Sequence, residues 1–245
     1  MNVLVIESDQ QRWDTLGVNS DGKVKTPNLD RLAEGGVNFT NCYTNSPLCV
    51  PSRGSSLTGR WPHEIGCFGN ATPFTGIVPT YAHFLQAGGI QSWDIGRMDL
   101  APACDHGFNA IHETPRNKVD YHEFFRDPSA QRTGGYRQHC WNVEIFGDQR
   151  TNGYPEEVCS WLKQHAEDEK PWHLFANFTL PHPAFQVPEE YFNLYQMAET
   201  ELPELSKGYF ENSHQADKIH RYHWQVEQPF PDDNIRLKSR IIKDI

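Results

Sequence analysis

Cys49 and Arg53 are the residues whose types and spacing point most directly to chemistry. They sit in the stretch Cys49-Val50-Pro51-Ser52-Arg53-Gly54-Ser55-Ser56-Leu57-Thr58-Gly59-Arg60. Pro51 suits the first turn of a helix, where its missing N–H is no loss and its φ is already helical. The N-terminus of such a helix would aim free backbone N–H groups and a partial positive charge at the Cys49 side chain. Arg53 is four residues on and so projects from the same face. An oxygen-rich anion placed there would meet amide donors, a guanidinium fork and the side chain of residue 49 together. Cysteine and arginine alone leave a plainer alternative open, a half-buried thiol beside an ordinary helix.

The rest of the chain must position that stretch. Its 245 residues suffice for one large domain or two small ones, with a sizeable core. Charged residues at 22%, aromatics at 12%, 17 prolines and 18 glycines describe a folded, loop-rich protein. A net charge of −10 argues against nucleic acid or an anionic membrane as partner, so positive charge for an anionic ligand must be gathered locally. Six cysteines (42, 49, 67, 104, 140 and 159) form no C-x-x-C pair and read as reduced thiols. The N-terminus runs straight into a strand-like segment without a leader pattern, and no apolar run approaches the length of a membrane span. The expectation is a cytoplasmic protein.

Asn2 to Glu7 has the aliphatic, β-branched look of a buried parallel strand and ends in Ser8-Asp9-Gln10-Gln11-Arg12. In open α/β sheets the carboxyl end of a strand is where ligands sit. Asp9 could cap a turn or ligate a cation. Thr26 to Gly36 predicts a short helix with Thr26 as N-cap, Pro27 first, Leu29 and Leu32 facing inward, and a glycine stop. Val37 to Tyr43 alternates as a second strand would. His63 to Asn70 reads as a loop, Thr80 to Ala87 as a helix, and Ile90 to Gly96 as a strand ending in Arg97-Met98-Asp99. Residues 101–153 read as an irregular insertion at a pocket mouth, with no zinc-ligand spacing. Tyr154 to Glu169 predicts an amphipathic helix and Trp172 to Thr179 a strong strand, running into Leu180-Pro181-His182-Pro183. Flanking prolines fix His182 and keep it off regular structure. Residues 199–233 read as a polar excursion and Asn234 to Ile245 as the start of a helix. The alternation of strands and helices predicts a single α/β domain, with a mostly parallel sheet between helical layers and the site along one sheet edge.

The string C-x-P-S-R-x-x-x-L-T-G-R, met at every fixed position from Cys49 to Arg60, resembles the signature of the sulfatase family. That resemblance implies the alkaline-phosphatase-like fold and oxidation of Cys49 to formylglycine by a separate formylglycine-generating enzyme. It also implies a divalent metal, calcium first and magnesium or manganese as alternatives, held by Asp9, Gln10 and residue 49. Gln10 stands where a second acid is commonest, and a neutral amide lowers the charge around any metal. Arg53 would stabilise the reacting centre, and His182, in Pro181-His182-Pro183-Ala184-Phe185 where the family has P-H-x-P-F, would bind the anion or protonate the leaving oxygen. The segment ending in Arg97-Met98-Asp99 is similar to a second signature that ends G-K-x-H. Arg97 would hold the anion, whereas Asp99 in place of histidine reverses the possible charge. Asn70 would contact substrate, as an asparagine does in a comparable loop of phosphonate-cleaving relatives.

The resemblance covers about residues 2 to 195, so the C-terminal part of the usual domain and its further metal ligands have no counterpart here. Asp9, Gln10 and residue 49 alone offer a hard cation too few oxygens. What is implied is hydrolysis of a small anionic sulfate ester. The alternatives are a phosphonate monoester or phosphodiester hydrolase, favoured by Gln10, Asn70 and the 97–99 pair, and a non-catalytic homologue that binds anions or a partner chain.

Overall fold

A computed structural model describes residues 1–72, 74–100, 104–112, 144–146, 154–182, 186–188, 191, 193–195 and 212–215. The regular elements in chain order are β1 (Val3–Ser8), α1 (Pro27–Glu34), α2 (Cys49–Thr58), α3 (Tyr81–Ala87), β2 (Gln91–Gly96), β3 (Ala110–His112), β4 (Glu144–Phe146), α4 (Tyr154–Gln164), β5 (Trp172–Phe178) and β6 (Gln186–Pro188). The chain divides into two compact units. The first comprises Met1–Gln11, Gly36–Lys118 and Thr151–His182; the second comprises Arg12–Gly35, Val119–Arg150 and Pro183–Ile245.

The first unit is built on a four-stranded sheet of order β1-β5-β2-β3, every pairing parallel. Period-two alternation sorts β5 onto two faces. Trp172, Leu174 and Ala176 join Ile95 of β2 in a core cluster with Tyr154, Val158 and Trp161 of α4. Phe175 packs on the other side with Leu57 of α2, Ala82 of α3, Met98 and Phe108. A third cluster, Val50, Ile65, Cys67 and Phe74, holds the start of α2. Each such large apolar side chain stabilises by about 1.5–3 kcal/mol relative to exposure. Helices on both faces of a parallel sheet are the expected layering.

The positions between β5's apolar residues on the α2 side carry polar ones. His173 and Asn177 are both buried, and so are Ser92 and Asp94 of β2. His173 stands level with Ser92, and Asn177 with Gly96 and Glu7. A buried strand face that mixes Phe175 with histidine and asparagine needs partners for its polar groups.

In the second unit α1 begins after Thr26, whose hydroxyl accepts from the Gly17 amide and donates to Asp30. β4 and β6 form a two-stranded parallel pair, and the Tyr195 hydroxyl accepts from the Lys25 amide at 2.6 Å.

Three sequence expectations fail. β1 forms as a parallel strand but is not buried, with Val3 to Ile6 37–59% exposed, because among the described strands only β5 pairs with it. Leu29 and Leu32 do not face inward but are 42% and 68% exposed. Their apolar spacing satisfies the helix, yet no described element covers that face. Val37 to Tyr43 forms no strand, and Val37, Phe39 and Tyr43 are exposed. A strand exists only through a partner's ladder, and no described strand pairs with this segment. Within the supposedly irregular 101–153, β3 and β4 are short strands; the remainder of that span beyond residues 104–112, the 199–233 excursion apart from residues 212–215, and the helix from Asn234 lie outside the described residues.

Candidate active site

The signature stretch folds as α2, beginning at Cys49, with Leu48 as N-cap and Pro51 in the first turn. Its positions without chemistry are folding positions. Leu57 is buried in the core, and a Cβ on Gly54 would lie 2.9 Å from Ile65 Cδ1. Gly59 ends the helix with a left-handed φ of 67° and donates its amide to the Ser55 carbonyl at 2.8 Å. The helix start is satisfied from outside: the Val50 amide donates to Asn70 Oδ1 at 3.1 Å. Asn70 therefore sits beside Cys49 as a cap, with the rest of its side chain exposed.

Asp9 follows β1 and is 7% exposed, its amide donating to the Phe178 carbonyl at the end of β5. The ligand atoms of Asp9, Cys49 and His182 all lie within 4.8 Å of one another. Cys49 Sγ stands 3.9 Å from Asp9 Oδ1. His182 follows the cis Leu180–Pro181 peptide and donates its amide to the Thr179 carbonyl. Gln10 is exposed, and its φ of 65° turns the chain sharply away after Asp9.

Two guanidinium groups converge on the same carboxylate. Arg53 Nη2 is 3.6 Å and Arg97 Nη1 3.4 Å from Asp9 Oδ2. Arg53, 5% exposed, also reaches Glu7 Oε1 at 2.9 Å and donates to Asn177 Oδ1 at 3.0 Å. Arg97 donates Nε–H to Asp99 at 2.7–2.8 Å. Gly96 makes that placement possible: its φ is 124°, and a Cβ there would lie 1.9 Å from the Asn177 carbonyl oxygen. So Arg97 enters the site because β2 ends against β5.

Electrostatics follow from this crowding. Burial, then the Asp9 carboxylate, pushes the Cys49 thiol above its usual range, with Arg97 and Arg53 offsetting part of it. The unmodified thiol is therefore held as S–H, a poor nucleophile in spite of the helix N-terminus. Burial likewise raises Glu7, against the pull of Arg53. Burial alone would lower Arg97, but the hydrogen bond to Asp99 and the charges of Asp99 and Asp9 outweigh it, and the net shift is upward.

A cation fits the donor set in part. Asp9 Oδ2 is buried and accepts no hydrogen bond, and a carboxylate, residue 49 and an imidazole converge on one point. Among the described residues Glu7, Asp9 and Asp99 set three carboxyl groups directly against Arg53 and Arg97, with Asp94 one hydrogen bond further in, an excess of acids that a divalent ion would help to offset. Calcium prefers about six to eight oxygens, so the described residues form part of a shell.

The structure thus brings Asp9, Cys49, Arg53, Arg97 and His182 together, with Asn70 beside Cys49 and Gln10 at the rim. Sequence reasoning missed Asn177 and Asp94, and read Glu7 only as a strand end. The available signal was a charged or amide residue inside an otherwise buried strand, Asp94 in IQSWDIG and Asn177 in WHLFANFT.

The family model described as Sulfatase matches residues 1–228. The chain is 26% identical over 223 residues to a choline-sulfatase of Rhizobium meliloti, covering 83% of this chain and 43% of that protein. It is 29% identical over 238 residues to an arylsulfatase of Clostridium perfringens, covering 86% and 49%. Among solved structures, the phosphonate monoester hydrolase of Agrobacterium radiobacter superposes with a TM-score of 0.71 at 20% identity, over 99% of this chain and 56% of that one. The chain spans about half the length of the curated relatives it matches. Its fold is the alkaline-phosphatase-like α/β sandwich, present in part. With its signature helix seated at the carboxyl ends of β1, β2 and β5, the chain belongs to the sulfatase family.

Proposed function

We propose that this chain carries the nucleophile-bearing part of a sulfuric ester hydrolase. The observation that supports this most is the meeting of Asp9, residue 49 and His182 within 4.8 Å, with Arg53 and Arg97 both on Asp9. Asp9 and residue 49, with Gln10 and His182 at hand, would hold a divalent metal, calcium first, whose role is to offset negative charge on the ester oxygens. Formylglycine in place of Cys49, installed by a formylglycine-generating enzyme, would supply a hydrated aldehyde oxygen as nucleophile. Arg53 holds its guanidinium at the reacting centre, where anionic charge builds up. Arg97 binds the ester's oxygens and is kept charged by Asp99 and Asp9. His182 serves the leaving oxygen as proton donor, the task for which imidazole is suited near neutral pH. Asn70 keeps the start of α2 in place and leaves its exposed amide toward substrate. The raised thiol pKa supports a residue 49 that works only after modification.

The described cysteines, Cys42, Cys49, Cys67, Cys104 and Cys159, are all free, which fits a reducing, cytoplasmic setting. Among the described residues no helix is long and apolar enough to cross a membrane.

A phosphonate monoester or phosphodiester hydrolase is the second reading. It is favoured by the Arg97–Asp99 pair, which replaces a lysine and a histidine, and by neutral Gln10. Rates on matched aryl sulfate and aryl phosphonate esters separate the two. Peptide mass mapping of protein co-expressed with a formylglycine-generating enzyme should show the mass loss of formylglycine at residue 49. Cys49→Ala should then lose turnover by at least about 1,000-fold. A modified, metal-loaded chain without turnover on either ester would leave an anion-binding homologue as the function.

A further inference from the structure

We propose that Asn177 is the positioning residue for Arg53, part of a buried relay that runs Asp94–Asn177–Arg53 beneath α2. Asn177 and Asp94 are fully buried, on adjacent strands and on the face toward α2. Asn177 Nδ2 donates to Asp94 Oδ1, and Asn177 Oδ1 accepts from Arg53 Nη1 at 3.0 Å. Partner chemistry fixes the amide's sense. A carboxylate can only accept and a guanidinium can only donate, so one end of the amide must face each. No other uncharged side chain of that length serves both. Aspartate at 177 would set two carboxylates together, and leucine would take one buried hydrogen bond from each neighbour.

The consequence is orientation. Glu7 and Asp9 pull the guanidinium toward the sheet edge, but both contacts are simple attractions at 2.9 and 3.6 Å. Asn177 adds a directed bond from a side chain that is itself held, removing rotation about the Arg53 Nε–Cζ bond. In a site where a misplacement of about 1 Å can cost about 100-fold in rate, a pinned guanidinium matters. The Asn177 side chain bonds Arg53 and Asp94, and of these only Arg53 reaches Asp9 beside residue 49, so the effect of that side chain on the site passes through Arg53.

The test uses the full chain and four variants: Asn177→Leu, Arg53→Lys, their double, and the swap Asp94→Asn/Asn177→Asp. Guanidinium NMR should show resolved, slowly exchanging Arg53 Nη resonances in the parent chain. They should collapse to one in Asn177→Leu and return in the swap, where the carboxylate now at position 177 accepts both from Arg53 and from the amide now at position 94. Circular dichroism reports whether each variant folds; the swap keeps the test decisive if Asn177→Leu does not. Kinetically, Asn177→Leu should lower kcat about 10–100-fold with KM little changed, and should add almost nothing to Arg53→Lys. An Arg53 that rotates as slowly in folded Asn177→Leu as in the parent overturns the proposal, as do losses that multiply in the double variant or a swap that leaves Arg53 mobile. The kinetic arm rests on the ester-hydrolase reading above, whereas the NMR arm reads Arg53 even in a chain that turns nothing over.

Discussion

Arg97 is held between two acids, and that decides how much of its charge reaches a ligand. Asp99 takes its Nε–H at 2.7–2.8 Å, and Asp9 lies 3.4 Å from Nη1. A guanidinium so paired is well placed but weakly attractive to a further anion, since its field is largely offset nearby. Asp99 itself takes a φ of 55°, unusual for a residue other than glycine, so the backbone there is shaped to present the carboxylate. Asp99→Asn keeps the side-chain shape and removes one negative charge. It should tighten binding of inorganic sulfate by about tenfold, the factor that about 1.4 kcal/mol represents, measured by calorimetry at fixed ionic strength. Weaker binding would instead mean that Asp99 serves mainly to aim Arg97, and unchanged binding would remove Arg97 from the anion site.

At the scale of elements, β5 is the strand on which the first unit turns, since it pairs with both β1 and β2 and feeds the loop carrying His182. It also carries a liability. His173 is 2% exposed, neither ring nitrogen has a hydrogen-bond partner, and burial lowers its pKa to about 4 from the ordinary 6.5. Between those values the unfolded chain binds a proton on His173 that the folded chain refuses. Stability is therefore present above about pH 6.5 and is lost as pH falls toward 4, by up to about 3 kcal/mol. Glu7, whose pKa is raised by burial, acts in the opposite sense by favouring protonation in the folded state. Urea unfolding at a series of pH values should show the decline, and His173→Phe, which keeps an aromatic ring against Tyr81 and Phe108, should flatten it. An unchanged slope in that variant would assign the acid sensitivity elsewhere.

Much of this organisation was legible in the residues themselves. The motif located α2, glycine stops bounded the helices, a short aliphatic run marked β1, and an aromatic-rich apolar run marked β5. Hydrophobic periodicity looks along one chain, however, and cannot see register. That is why Asn177 and Asp94 were missed: their meeting depends on β2 and β5 lying side by side, with Asn177 level with Gly96 and Asp94 level with Phe175. The same blindness made Val37 to Tyr43 look like a strand, because alternation states a capacity to pair and says nothing of a partner. Leu29 and Leu32 misled in the same way, since a helical stripe does not say what will cover it.

For the first unit as a whole, the sheet ends at β1 among the described strands, and β1 has the composition of an interior strand. Val3, Leu4, Val5 and Ile6 are 37–59% exposed, Ile6 most of all. Parallel strands of this kind are ordinarily covered on both faces. An apolar strand with its ladder open on one side is a template for pairing with another chain. The net charge of −10 opposes association through long-range repulsion, but salt screens that term within about 8–10 Å and leaves the edge contact intact. Self-association of the 245-residue chain should therefore increase with ionic strength, together with binding of an apolar dye. Ile6→Lys places a charge at an exposed edge position, so it should suppress both while shifting Tm by no more than a few degrees. Light scattering after size exclusion at low and high salt makes the measurement. A wild-type chain that stays monomeric and dark to the dye at both salt concentrations would show that β1 is covered in solution, and Ile6→Lys should then destabilise the fold instead.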